Sequence, residues 1–487
     1  MTIAKLNPER VWKNFYTLTQ IPRPSKKEGK IVAFLEKWGK DLGLETIKDK
    51  LGNIIIRKPA TPGMENCKGI ILQAHMDMVP QKNNDKVHNF EIDPIETRIV
   101  DVNGEDWVYA CGTTLGADNG MGVATAMAVL EATDLVHGPI EALFTIDEET
   151  GMTGARGLAP NVLKGDILIN LDSETEGELY VGCAGGLDLT ADFKYKEEVL
   201  PAGYKVFEIA VKGMRGGHSG MEINEGRGNA NKTMARILIY LLRDFKCKLV
   251  SINGGSLRNA IPREAFAKVA VPEANVEKVQ EFVAEMLKAV KSEIGAIDPA
   301  VEIFATPSKA KTVMASNVGL KMAKAVLACP NAVYKMSLEM PGLVETSSNL
   351  AIVSSEAGVI SVKCLLRSSS DSSKEEMAEA VRAVFELAGA KVTTSGGYSG
   401  WQPNMKSPIL MEMKKVYKNL YGKEPAVMAI HAGLECGILG ATYKNWDMVS
   451  CGPTLLSPHS PDERVLVSSV GKFWNFIVEV LKNAPKK

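Results

Sequence analysis

The stretch Ala142-Leu143-Phe144-Thr145-Ile146-Asp147-Glu148-Glu149-Thr150-Gly151 constrains this chain more than any other. An apolar run of this length, stopped by turn-forming residues, reads as a buried strand. Three consecutive carboxylates at the end of such a strand are costly to desolvate unless positive charge meets them. A solvated loop would meet that need with water alone. The choice between the two rests on what the rest of the chain brings to the same place.

At 487 residues the chain exceeds a single core, so at least two domains are expected. Residues from about 9 to 47 read as two helices broken by Ile21-Pro22-Arg23-Pro24-Ser25, the second from about Lys27 to Leu42. Short strands are expected at 54–56, 69–74, 140–146 and 166–171, with a small-residue helix at 121–130. Strands alternating with helices at this spacing predict a mainly parallel α/β sheet.

From about residue 186 the pattern changes. Strand, helix, strand, strand, helix and strand are expected at 204–211, 229–243, 248–252, 264–271, 276–294 and 301–305. A similar order recurs as a helix at 316–328, strands at 332–338 and 358–366, a helix at 374–389 and a strand at 391–395. This predicts two βαββαβ-like units, the second without a clear first strand. Past Trp401-Gln402-Pro403-Asn404 the α/β character returns, with helices at 409–421 and 468–481. The expected organisation is therefore one catalytic domain in two parts, 1–185 and 401–487, with an inserted α+β domain at 186–400.

A formal net charge of −1 gives no reason to expect nucleic acid or an anionic membrane as partner. The N-terminus lacks the apolar core of a signal peptide, and no run has the length of a membrane span. Eight cysteines without CxxC spacing read as reduced thiols of a cytoplasmic protein, not as a disulfide framework or a cysteine zinc site.

The six histidines can be weighed one by one. In His75-Met76-Asp77, at a strand end, positions i and i+2 share a face, and the Asp can hold the ring nitrogen that a metal does not use. Asp118, in Gly116-Ala117-Asp118-Asn119-Gly120, fits equally well as a helix N-cap. Asp172, after Ile169-Asn170-Leu171, is alone an ordinary strand-end acid, and His459, in Ser457-Pro458-His459-Ser460-Pro461, alone an ordinary loop histidine. His88 and His137 read as surface residues, and His431 stays open. Taken together, two histidines and several acids fall at strand ends or adjoining loops of one α/β domain, the edge where open α/β sheets build sites. Imidazole and carboxylate donors without thiolate suit zinc, cobalt or manganese. So many carboxylates point to two ions sharing one bridging acid.

His75-x-Asp77, Asp118-Asn119-Gly120, Glu148-Glu149, Asp172 and Ser457-Pro458-His459, in this order, resemble the M20 family of metallopeptidases, and within it the bacterial dipeptidases that accept Xaa-His. The resemblance covers essentially the whole chain. It implies a zinc-peptidase-like catalytic domain with a central mixed sheet, an inserted lid, and hydrolysis of unblocked dipeptides at two divalent ions, Zn2+ before Co2+ or Mn2+. It makes His75 and Asp172 ligands of one ion, Glu149 and His459 ligands of the other, and Asp118 the bridge, followed by a cis peptide. Glu148 becomes the general base and Asp77 the partner of His75. His218, in Gly216-Gly217-His218-Ser219-Gly220, becomes the oxyanion donor, and a doubled lid suggests that it acts within its own chain, with a homodimer still allowed. Arg367 is the candidate for the substrate carboxylate, with Asn229 and Gly433 as weaker ones. A related deacylase or carboxypeptidase acting on N-acyl amino acids is the alternative.

Overall fold

A computed structural model describes residues 2–315 and 317–487. The chain forms two compact units. One holds the described residues up to Gly182 together with Pro403–Ala429 and Leu434–Lys487; the other holds Cys183–Gln402 and Ile430–Gly433.

The first unit is organised on an eight-stranded sheet in the order Glu45–Lys48, Ile54–Lys58, Ile140–Thr145, Ile70–His75, Ile167–Asn170, Asp447–Ser450, Glu178–Cys183, Ala426–Ile430. The four central strands, from Ile140–Thr145 to Asp447–Ser450, run parallel, and antiparallel pairs flank them. Ile70–His75, Ile140–Thr145 and Ile167–Asn170 are buried at every residue. That is the pattern of parallel strands covered on both faces, and it explains their apolar, β-branched composition. Their register sets His75 beside Thr145, and Gln73 beside Asn170, so the chemistry-bearing strand ends share one edge.

The helix Ala117–Glu131 is buried along nearly its whole length, as a helix apolar on all sides must be. Its small residues let it lie close: a Cβ at Gly122 would stand 2.6 Å from the Leu171 carbonyl oxygen. The last helix, Val467–Lys482, buries Val470, Phe473, Phe476, Ile477 and Val480. A second sheet of this unit pairs Leu455–Leu456 with Arg464–Leu466, then with Glu105–Ala110 and Thr97–Val102. The loop bearing His459 is thus the tip of a hairpin. Among the described residues no helix is long and apolar enough to cross a membrane.

The second unit carries a nine-stranded sheet. Half of it runs Glu302–Pro307, Tyr204–Lys212, Ala265–Pro272, Lys248–Gly254; the other half runs Val344–Glu356, Val359–Ser368, Gly185–Lys194, Lys391–Tyr398. The halves meet antiparallel through Lys248–Gly254 and Val344–Glu356, and their strand orders mirror each other. The strand missing from the second repeat is therefore Gly185–Lys194, which precedes the first repeat in the chain. The inner strand of that repeat is Val344–Glu356; Ala332–Met336 only pairs with its flank. The helix expected at 316–328 runs Val318–Ala328, and Ser316 lies outside the described residues.

Candidate metal centre

Within the first unit, seven of the residues singled out from the sequence converge. His75, the last residue of its strand, directs Nε2 to Asp118 Oδ1 at 3.1 Å and to Asp172 Oδ1 at 3.4 Å. His459 directs Nε2 to Asp118 Oδ2 at 3.1 Å and to Glu149 Oε2 at 2.9 Å. The two oxygens of Asp118 therefore face different imidazoles. His75, Asp118 and Asp172 form one group whose donor atoms all lie within 4.8 Å of one another, and Asp118, Glu149 and His459 form another. Glu148 falls within the same span of His75 and Glu149.

Local backbone explains the convergence. Asp147 turns into the left-handed region with φ 52°, uncommon outside glycine, and its carboxylate accepts from Thr150 and Thr153. That turn aims Glu148 and Glu149 past the strand end. Asp77 accepts from the amides of Glu148 at 3.1 Å and Glu149 at 3.4 Å, and lies 3.3 Å from His75 Nδ1. One buried carboxylate so holds the backbone of the acid pair and faces the imidazole ring. The Asp118–Asn119 peptide is cis, and Asn119 donates to Leu171 O and to Asp172. His459 has φ 58°, held between two prolines.

Two residues passed over in the sequence complete the frame. Arg23, 2% exposed, donates to the carbonyls of Met76 and Asp77 at 3.1 and 3.0 Å and of Gly116 at 2.5 Å. Glu463 is also buried and accepts four backbone amides, Leu115, Gly116, Ala117 and Asp118, at 2.7, 2.9, 2.7 and 3.1 Å. The signal for Arg23 was its place between two prolines, and for Glu463 its place four residues past His459. His137 corrects the surface assignment: it is 1% exposed, with Nδ1 at 2.8 Å from Gly138 O.

The charges fit a cation. Burial opposes protonation of His75, yet Asp172, Asp118 and Asp77 hold its pKa well above the ordinary imidazole range. Asp118 and Glu149 raise His459 to about 11. Enclosure by protein pushes Glu148 well above the usual carboxylate range, opposed by His75 and reinforced by Asp172, Glu435 and Glu149. Five carboxylates, Asp77, Asp118, Glu148, Glu149 and Asp172, thus surround two imidazoles, an excess of acid over base. Glu149 Oε1 is buried without a hydrogen-bond partner among the described residues. Oxygen and imidazole donors at this spacing, short of positive charge, suit divalent ions.

In the second unit, His218 Nδ1 accepts from the amides of Met221 at 3.0 Å and Gly220 at 3.3 Å. That assigns the ring proton to Nε2, which has no hydrogen-bond partner among the described residues. Burial, then the nearby Arg367, keeps this histidine below its ordinary pKa, hence neutral. Arg367 is 5% exposed and donates to Ser219 Oγ at 3.2 Å and Tyr398 OH at 3.3 Å; among the described residues it forms no salt bridge. Asn229 is committed elsewhere: it caps the helix Ala230–Arg243 and donates to Leu350 O and Asn331 Oδ1. Gly433 ends the short segment Ile430–Gly433, in which His431 pairs with Ser347 Oγ at 2.7 Å.

A parallel-sheet edge that gathers imidazoles and carboxylates around one shared acid defines a hydrolase of the metal-dependent class. The chain belongs to peptidase family M20/M25/M40, whose sequence profile matches residues 71–483. It is 44% identical over 486 residues to the cytosol non-specific dipeptidase of Escherichia coli (strain K12), covering 100% of this chain and 99% of the relative. Its structure is similar to that of aminoacylhistidine dipeptidase from Vibrio alginolyticus, with a TM-score of 0.92 and 46% identity over 100% and 99% of the two chains. A tripeptidase from Staphylococcus aureus shares the fold at 16% identity, with a TM-score of 0.57 over 98% and 99% of the chains.

Proposed function

We propose that this chain is a cytoplasmic dipeptidase that hydrolyses unblocked dipeptides, Xaa-His among them, using two divalent ions. The observation that carries this reading is the split of Asp118, with one oxygen 3.1 Å from His75 Nε2 and the other 3.1 Å from His459 Nε2. His75, Asp118 and Asp172 would hold one ion, and Asp118, Glu149 and His459 the other. Zinc comes first among the metals these donors accept, with cobalt and manganese next. When bound, such ions supply Lewis-acid polarisation of the scissile carbonyl and of water.

The chain's own residues do the rest. Glu148 takes the proton of the attacking water and hands it to the leaving amine. Asp77 keeps His75 in the tautomer that presents Nε2. His218 Nε2–H donates to the developing oxyanion, and Arg367 receives the substrate's free carboxylate. The backbone at Gly433 is a secondary candidate for that carboxylate, whereas Asn229 has both amide hydrogens engaged by Leu350 O and Asn331 Oδ1. The eight free cysteines and the name of the E. coli relative support the cytoplasmic location.

Incubation with a chelator abolishes hydrolysis of alanyl-histidine, and added zinc restores it. Free alanyl-histidine is cleaved in preference to its N-acetyl and C-amide forms. Equal turnover of the N-acetyl form would favour the deacylase or carboxypeptidase alternative, and full activity under chelator would remove the metal mechanism.

A lid of two mirrored halves, proposed for the second unit, lets His218 serve its own chain. Mixing a His218→Ala chain with a Glu148→Ala chain then restores no activity. Recovery in the mixture would assign His218 to a partner subunit and require a homodimer.

A further inference from the structure

Beneath the ligand residues lies a buried chain of polar side chains that neither the fold nor the proposed chemistry uses. Glu435 Oε2 accepts from Gln73 Nε2 at 2.6 Å and Thr145 Oγ1 at 2.7 Å. Asn170 Nδ2 donates to Gln73 Oε1 at 2.5 Å, and Ser450 Oγ donates to Asn170 Oδ1 at 2.5 Å. Ser450 and Ser173 lie 2.7 Å apart, and since Ser450 already donates, Ser173 donates to it. Gln73, Thr145, Asn170, Glu435 and Ser450 each have 0% exposure. A core of apolar side chains would hold these strands together without the desolvation that a polar row brings.

Its place gives it a role. The row crosses four adjacent parallel strands, linking Ile140–Thr145, Ile70–His75, Ile167–Asn170 and Asp447–Ser450. Gln73 lies two residues before His75 and Asn170 two before Asp172, so each stands about 7 Å down the strand from a ligand. Residues i and i+2 share a strand face, so a lateral slip of either strand end would carry its ligand with it. No member of the row lies on the His459 hairpin, and only Thr145 lies on the strand leading to Glu149.

Resting on the dinuclear reading above, we infer that the row Glu435–Gln73–Asn170–Ser450–Ser173 consists of positioning residues for one ion alone, the one assigned to His75 and Asp172. The row fixes the spacing of two strand ends before any cation arrives. Zinc titration of the full-length metal-free protein against a chromophoric chelator, with thermal unfolding of the same samples, tests this. Wild-type protein takes up two zinc ions. Gln73→Leu weakens one of them by about 10-fold and leaves the other unchanged, in the range that partners of ligands command. Ser450→Ala, which removes one link at the far end, weakens the same ion less; it also decides the matter if Gln73→Leu does not fold. Two wild-type affinities in the variants would overturn the inference while leaving the dinuclear reading intact. Equal loss of both ions together with a lowered apo Tm would reduce the row to fold stability and overturn it too. Fewer than two zinc ions on wild-type protein would remove the dinuclear reading itself, and this inference with it.

Discussion

Glu148→Ala lowers kcat for alanyl-histidine by about 10²- to 10⁴-fold, the range attributed to a positioned general base. Zinc content stays at two per chain. The first expectation follows from place and environment. Glu148 stands beside His75 and Glu149, its amide held by Asp77, and enclosure by protein raises its carboxyl above the usual carboxylate range. The second follows from the two donor groups that share Asp118, neither of which needs Glu148. A 10³-fold loss corresponds to about 4 kcal/mol of transition-state stabilisation. Steady-state kinetics and emission spectroscopy on one preparation separate the two effects. Loss of zinc along with activity would make Glu148 a ligand and leave the base unassigned.

What the sequence disclosed and what it hid divide along a physical line. Glu148-Glu149, His75-x-Asp77 and Asp172 were legible because their signal is local: an apolar run that stops in groups too polar to be buried alone. His459 was legible only in company, through the order of the other motifs. Val344–Glu356 was missed because its Thr346, Ser347, Ser348 and Asn349 are polar and yet buried, so period-2 reasoning takes them for a loop. The first strand of the second repeat was missed because an entire repeat separates it from its sheet neighbours. His137 was misplaced for the same kind of reason, since its burial comes from packing that no spacing rule records. Arg23 and Glu463 hold backbone atoms 53 to 93 and 345 to 348 residues away. A single sequence shows an acid or a base at such places but not the peptide groups that fold back on it.

Glu463 is where that hidden layer has its largest expected effect. Glu463→Ala leaves four amides, Leu115 to Asp118, without an acceptor in a buried place, and each such group carries a penalty of about 1–3 kcal/mol. It also removes a negative charge near buried Arg23, which burial already disfavours. Allowing for relaxation and entering water, the metal-free protein loses about 3–5 kcal/mol of stability, at the upper end for single substitutions. The effect on metal exceeds that of removing any unshared partner, because Asp118 belongs to both donor groups and its own amide is one of the four. Both zinc ions weaken together, unlike the selective loss expected of Gln73→Leu. Glu463→Gln keeps the volume and one oxygen but turns an NH2 toward amide donors, so it falls between wild type and alanine in both Tm and zinc affinity. Thermal unfolding of metal-free protein and zinc competition on the same variants measure the two effects. Wild-type zinc affinity in Glu463→Ala would mean that Asp118 keeps its place without the carboxylate, and that the four hydrogen bonds serve the helix start alone.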